Sequence, residues 1–327
     1  YDLHVLGNHE FDYGTGFLKR YIDSFSQKFR HPFISGNLDF SANSDLSPIS
    51  RKSEPILRGS YTGKKVGETY IHRDYASGAL FGIVSAVTPL LRTISSPGTT
   101  KLTTTDIPGT AALINKQVAA LEARGINKII LISHLQGFAN DKEIIALLKN
   151  VDVAIAGGGD DLLTSSDIAE SIQLIPGEGK PVGKYPEMVK DANKVDVPLI
   201  TTKGNYNYLG RFDVSFSGDG KVLSYNRNTS YPRRVIPASP VSRALGIKDA
   251  VTPDKGIVDE VEKPLSACLV GFAVPIASSQ TLFATDRGSA TVLGVRTAET
   301  IGGNLVADSF IHAYSNRAAA AKLPAAG

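Results

Sequence analysis

A chain of 327 residues has room for two domains or one large one. Its 42% hydrophobic and 20% charged content is that of an ordinary globular protein, and a net charge of +3 gives no case for nucleic-acid binding while leaving a surface that does not repel phosphate anions. Cys268 is the only cysteine, which excludes an intrachain disulfide and a Cys-based zinc site, and no apolar run reaches the roughly 18 residues of a transmembrane helix.

Leu3, Val5 and Leu6 predict the end of a strand, and Gly7 lets the backbone turn sharply behind it. The loop that follows reads Asn8-His9-Glu10-Phe11-Asp12-Tyr13-Gly14. Thr15 to Phe29 predicts a helix, because Phe17, Leu18, Tyr21, Ile22 and Phe25 recur at helical spacing. Beyond His31-Pro32, Phe33 to Leu38 reads as a short buried strand whose polar end carries Asn37. Turn signals at Arg58-Gly59 and Thr62-Gly63-Lys64 make Ile49 to Tyr75 a set of short strands joined by hairpins. Ala79 to Val87 predicts a buried strand, and Thr110 to Arg124 a helix that Gly125 stops.

Ile126 to Ile132 predicts the next buried strand, which ends in Ser133-His134-Leu135-Gln136-Gly137. A helix from Asp141 to Lys149 and a strand from Val151 to Ala156 follow, and that strand runs into Gly157-Gly158-Gly159-Asp160-Asp161. Strand, loop, helix, strand, loop is a βαβ pattern, and in such sheets the loops at the strand C-terminal ends line the ligand crevice. The loops after Leu6, Ile132 and Ala156 are therefore expected to converge. Val197 to Thr201 predicts another strand. Phe212, Val214 and Phe216 alternate with polar residues before Gly218-Asp219-Gly220 turns the chain back into Lys221 to Tyr225. Tyr231 to Pro240, with three prolines, reads as a linker. Lys255 to Cys268 and Ala298 to Tyr314 predict helices, and Leu269 to Ala284 short strands.

The loops carry the chemistry. Asn8 offers a neutral carbonyl oxygen to a cation, His9 stands beside it, and Asp12 is within reach of His9 to hold its tautomer. The plain alternative is that Asn8 and Asp12 cap a helix. His134, at a strand tip, is either a neutral imidazole ligand or a satisfied structural residue. Asp160 and Asp161 offer hard carboxylate oxygens, or else cap a helix over Leu162–Ser171.

The stretch Gly7-Asn8-His9-Glu10-Phe11-Asp12 resembles the signature loop of the calcineurin-like metallophosphoesterases, in their 5'-nucleotidase branch. Asn205-Tyr206-Asn207-Tyr208-Leu209-Gly210-Arg211 resembles the segment that closes that family's catalytic domain. Arg296-Thr297-Ala298-Glu299-Thr300 and Gly302 to Asp308 resemble the start of its C-terminal domain. One departure stands out: where the family has Gly-Gly-His-x-His, or Gln in the last place, this chain has Gly157-Gly158-Gly159-Asp160-Asp161, without imidazoles.

The resemblance implies an α/β fold, a metallophosphoesterase-type β-sandwich flanked by helices (αββα), followed by a partial second α/β domain. It implies a catalytic domain over 1–235 that lacks its first strands, a linker over 236–254, and the beginning of a substrate-binding C-terminal domain over 255–327. The implied activity is phosphomonoester hydrolysis, with nucleoside monophosphates as the leading substrates. The implied cofactors are two divalent ions about 3.5–4 Å apart, drawn from Mn, Mg, Zn or Ca. Asn8, His134 and one of Asp160 and Asp161 are the expected ligands here, with further ones from upstream Asp-x-His and Gly-Asp loops. His9 and Asp12 are the expected catalytic pair, and Asn37 and Arg296 the expected substrate contacts. No obligate protein partner is expected, and the family's usual location is periplasmic or extracellular. The second reading is a non-catalytic nucleotide- or metal-binding protein of the same fold.

Overall fold

Hydrophobic alternation along the strands builds layers here. The computed structural model describes residues 1–29, 31–52, 54–57, 64–274, 278, 280–281, 283, 294 and 298–321. Two compact units, Tyr1–Thr252 and Pro253–Gly327, divide the chain. In the first, chain order runs β1 (His4–Val5), α1 (Gly14–Phe29), β2 (Phe33–Ile34), β3 (Ile56–Leu57), β4 (Val66–Gly67), β5 (Thr69–Arg73) and β6 (Leu80–Val87). It continues with α2 (Ile107–Glu122), β7 (Ile129–His134), α3 (Phe138–Leu147), β8 (Val153–Gly157), β9 (Glu187–Lys190) and β10 (Asp196–Ile200).

Strands β1, β2 and β4 form a parallel three-stranded sheet. The seven-stranded sheet has the order β9-β10-β8-β7-β6-β5-β3. Its centre, β10 to β6, is parallel. Antiparallel pairing enters on either side, at β9–β10 and β5–β6.

Strand β7 shows why the two sheets face each other. Successive side chains point to opposite faces of a strand. Ile129 and Leu131 join a core with Ile114 and Val118 of α2 and with Ile144 and Ile145 of α3. Ile130 and Ile132, half-buried, pack instead with Ile34, Tyr70 and Ile83, as do Leu3 and Val5 of the small sheet. On the other face of that sheet, Leu18 and Ile22 of α1 pack with Leu6, Phe11 and Phe33. The layers are helix, sheet, sheet, helix, as the αββα expectation has it. Full burial of a side chain such as Leu131 stabilises by about 1.5–3 kcal/mol.

Several elements differ from their sequence reading. The strand expected from Phe33 to Leu38 is split: Phe33–Ile34 pairs in the small sheet, Leu38–Asp39 pairs antiparallel with Lys101–Leu102, and between them Gly36 runs against β6, where a Cβ would lie 2.1 Å from the Ser85 carbonyl oxygen. Strand β3 pairs with β5 in parallel, so no hairpin joins them; residues 58–63, with the expected turns, lie outside the described residues. The helix expected over Leu162–Ser171 is confined to a single turn at Glu170–Gln173; Leu163–Thr164 pairs instead as a strand with Gly183–Lys184. Tyr231–Arg234, read as linker, pairs antiparallel with Tyr208–Arg211, and a two-stranded ribbon tolerates Pro232 at its edge. In the second unit a helical run spans Lys255–Leu269, with a π-helical stretch at Val258–Glu262. Val270–Ala273 is a 3-10 turn where a strand was expected, and most of the remainder to Ala284 lies outside the described residues. Ile301–Ala321 is helical.

Candidate active site

His134 ends β7 on the same face as Ile130 and Ile132, so it points to the side of the sheet where the β1 loop begins. That geometry brings two residues 126 positions apart together: His134 Nε2 lies 2.8 Å from Asn8 Oδ1. Asn8 is only 3% exposed. The imidazole is wedged between two glycines. A Cβ at Gly7 would lie 2.5 Å from the ring, and one at Gly158 2.6 Å from it. Gly7 therefore serves by leaving room for the ring, since its φ is not in the left-handed region; Gly158, at φ +85°, supplies both room and a turn.

Burial pushes the His134 imidazole below its ordinary pKa; the charge of Glu10 opposes this and that of His9 adds to it. The ring is thus neutral near pH 7, the form that ligates metals. Glu10 closes the loop by accepting from the Gly7 amide at 2.6 Å.

His9 opens a short 3-10 turn, His9–Phe11, with 75% of its side chain exposed. Its Nδ1 lies 2.6 Å from Asp12 Oδ2, and Ser95 Oγ donates to Asp12 Oδ1 at 2.8 Å. The hydrogen bond from His9, with help from Ser95 and against slight burial, holds the Asp12 carboxyl below the usual aspartate range.

The other expected residues fall as follows. Asp161 Oδ2 accepts from the Phe138 amide at 3.0 Å, at the first residue of α3. Asp160 is exposed, its Oδ1 beside Gly204. Asn37 is not available to a substrate. It is fully buried, its Oδ1 accepts from the Val87 amide at 2.9 Å, and its Nδ2 donates to the Val87 carbonyl at 2.8 Å. It braces the segment after β2 against the end of β6. Arg296 lies outside the described residues.

Three residues enter that sequence reasoning passed over. Gln136 takes a left-handed φ of +67°, and its Nε2 donates to Asn8 Oδ1 at 2.5 Å. Ser95 steadies Asp12 from a remote loop. Asp141 of α3 is buried, accepts from Ser133 Oγ at 2.5 Å, and is pushed by burial to a pKa of about 7. No local sequence signal marks any of them, because each acts through contacts made by the fold.

Among the described residues no three His, Cys, Asp or Glu side chains cluster as a metal site. The donors at the Asn8–His134 contact still fit a divalent ion: a buried amide oxygen and a neutral imidazole nitrogen are held side by side.

No family model matches the chain. A 5'-nucleotidase of Rattus norvegicus is 30% identical over 249 residues, covering 76% of this chain and 37% of the rat protein. A 5'-nucleotidase of Bos taurus is 29% identical over 268 residues, covering 81% of this chain and 41% of its own length. The crystal structure of a 5'-nucleotidase precursor from Thermus thermophilus superposes with a TM-score of 0.68 at 25% identity, over 97% of this chain and 52% of that one. The chain thus spans about half, or less, of the proteins it matches. Signature loop, sandwich and similarity agree that the chain belongs to the 5'-nucleotidase family of metallophosphoesterases.

Proposed function

We propose that this protein is a metal-dependent phosphomonoesterase that releases phosphate from nucleoside monophosphates. The observation that carries the reading is the 2.8 Å contact of Asn8 Oδ1 with His134 Nε2, made from separate strand tips across 126 positions. The likeness to proteins named 5'-nucleotidase supports the choice of substrate. Asn8 and His134 would hold one of two divalent ions, which when bound would lower the pKa of a water between them and polarise the phosphoryl oxygens. Asp12 fixes His9 through Nδ1, leaving Nε2 as the free edge of an exposed ring. From there His9 is suited to protonate the departing alkoxide. Asp161 remains a candidate ligand, although in the structure it serves the Phe138 amide. Residues 1–235 are proposed as the catalytic part and 255–327 as belonging to a substrate-binding domain, in a protein of periplasmic or extracellular location.

A second reading, nucleotide or metal binding without turnover, draws on the loop Gly157–Asp161, which carries no imidazole. Phosphate release from AMP by the full-length protein, with Mn²⁺, Mg²⁺ or Zn²⁺, separates the two. Metal-dependent release supports the enzyme; binding of metal and AMP with no release from any nucleotide supports the second reading.

A further inference from the structure

Gln136 is a polar side chain beside Asn8 that neither reading uses. Gln136 sits in the loop after β7 with φ +67°, a backbone region that residues other than glycine rarely enter. Such conformations persist where the surroundings enforce them, and they concentrate at functional sites. The gain here is position: the Gln136 amide reaches Asn8 Oδ1 at 2.5 Å, and the same oxygen meets His134 Nε2 at 2.8 Å. Three neutral polar groups from two distant loops, one amide nitrogen, one amide oxygen and one imidazole nitrogen, converge on one point. The neighbouring loop offers no side chain over Gly157, Gly158 and Gly159, and Gly159 backs onto Gly137 and Asp161 instead.

We infer that Gln136 is a metal ligand, binding a divalent cation through its amide oxygen beside Asn8 and His134. Turning the amide end for end places Oε1 where Nε2 now stands, next to the other two donors. Without an ion, Nε2 satisfies Asn8 Oδ1; with the ion, all three groups present lone pairs to it. These three donors are uncharged, so they leave the ion's attraction for a phosphate oxygen undiminished. Carbonyl oxygens suit Mg²⁺, Mn²⁺ and Ca²⁺.

This inference rests on the metal-site reading proposed above, and one set of titrations tells their failures apart. Mn²⁺ is titrated calorimetrically into the full-length protein and its Gln136→Gly and Gln136→Glu variants, with the visible spectrum of bound Co²⁺ recorded for each. Glycine relaxes the left-handed backbone, so Gln136→Gly should fold with an unchanged or raised apo Tm. It should also bind Mn²⁺ about 10–100-fold more weakly and alter the Co²⁺ bands. Gln136→Glu supplies a carboxylate oxygen in place of the amide oxygen and should retain affinity to within a few-fold. If Gln136→Glu loses as much as Gln136→Gly, the side chain is only a donor to Asn8 and the ligand assignment is overturned. Unchanged affinity in Gln136→Gly overturns it as well. If the unaltered protein binds no divalent ion at all, the metal-site reading itself falls.

Discussion

His9 and His134 meet in one loop cluster, yet burial gives them opposite tasks. His134 is enclosed by Gly7 and Gly158 and kept neutral, which suits a ligand. His9 is exposed and paired with Asp12, which suits proton transfer. Replacing each by alanine should separate these tasks. His9→Ala should slow phosphate release by about 10²–10⁴-fold with metal content nearly unchanged. His134→Ala should lower bound metal, measured by elemental analysis, and normal metal content in it would remove the assignment. Because the Asp12 pKa is depressed, its grip on His9 is fully present above the ordinary aspartate value and is lost only as pH falls through the lower folded value. At this scale the sequence made the pairings legible, His134 with Asn8 and His9 with Asp12. Gln136, Glu10 and Ser95 were not, because a backbone φ and contacts across the fold define their parts. Asn37 was expected to meet substrate, and its burial against the Val87 backbone is invisible in a sequence.

Helix α3 ties two of the loops together. Asp141 anchors Ser133, next to His134, and Asp161 holds the amide of Phe138 at the helix start. Burial raises the Asp141 carboxyl to about 7, so the folded chain keeps a proton that the unfolded chain releases above its ordinary value of 3.8. For a raised carboxyl pKa, the stabilisation is complete below the unfolded value and is lost as pH rises through about 7. Asp152, which accepts from the Ile129 amide at the start of β7, is raised in the same way. Thermal unfolding should therefore give a higher Tm at pH 5 than at pH 8. Asp141→Asn should shrink that difference by a few degrees, since about 1 kcal/mol moves Tm by roughly 2–4 °C in domains of this size; an equal difference in the variant would contradict the assignment. Helices α1 and α2 were legible from apolar spacing, and α2 is capped where Asp106 accepts from Gly109 at 2.7 Å. Hairpins between Ile49 and Tyr75 were misread because turn residues do not reveal whether the flanking strands pair with each other or with distant ones.

Across the whole sandwich, the site depends on two sheets keeping their register, because Asn8 follows the small one and His134 ends a strand of the large one. Strand β7 has residues on both faces, which allows a clean comparison. Leu131→Ala empties the helix-facing core and should lower stability by about 2–5 kcal/mol while leaving Mn²⁺ affinity unchanged. Ile132→Ala loosens the layer between the sheets, directly below His134, and should weaken Mn²⁺ binding as well as stability. Equal metal affinity in both variants would mean that the layer between the sheets does not hold the site. The layering itself could be anticipated, since the βαβ pattern placed the loops after Leu6, Ile132 and Ala156 on one side. Their convergence was expected too, but the particular contacts, His134 on Asn8 and the ring lodged between Gly7 and Gly158, follow from the way one sheet packs on the other.

Anomalous diffraction from crystals of the full-length protein grown with Mn²⁺ reaches the central claim without relying on turnover. A shared ion puts a peak about 2.0–2.3 Å from both Asn8 Oδ1 and His134 Nε2. Density that leaves these two atoms hydrogen-bonded to each other, with no peak within reach of both, contradicts it.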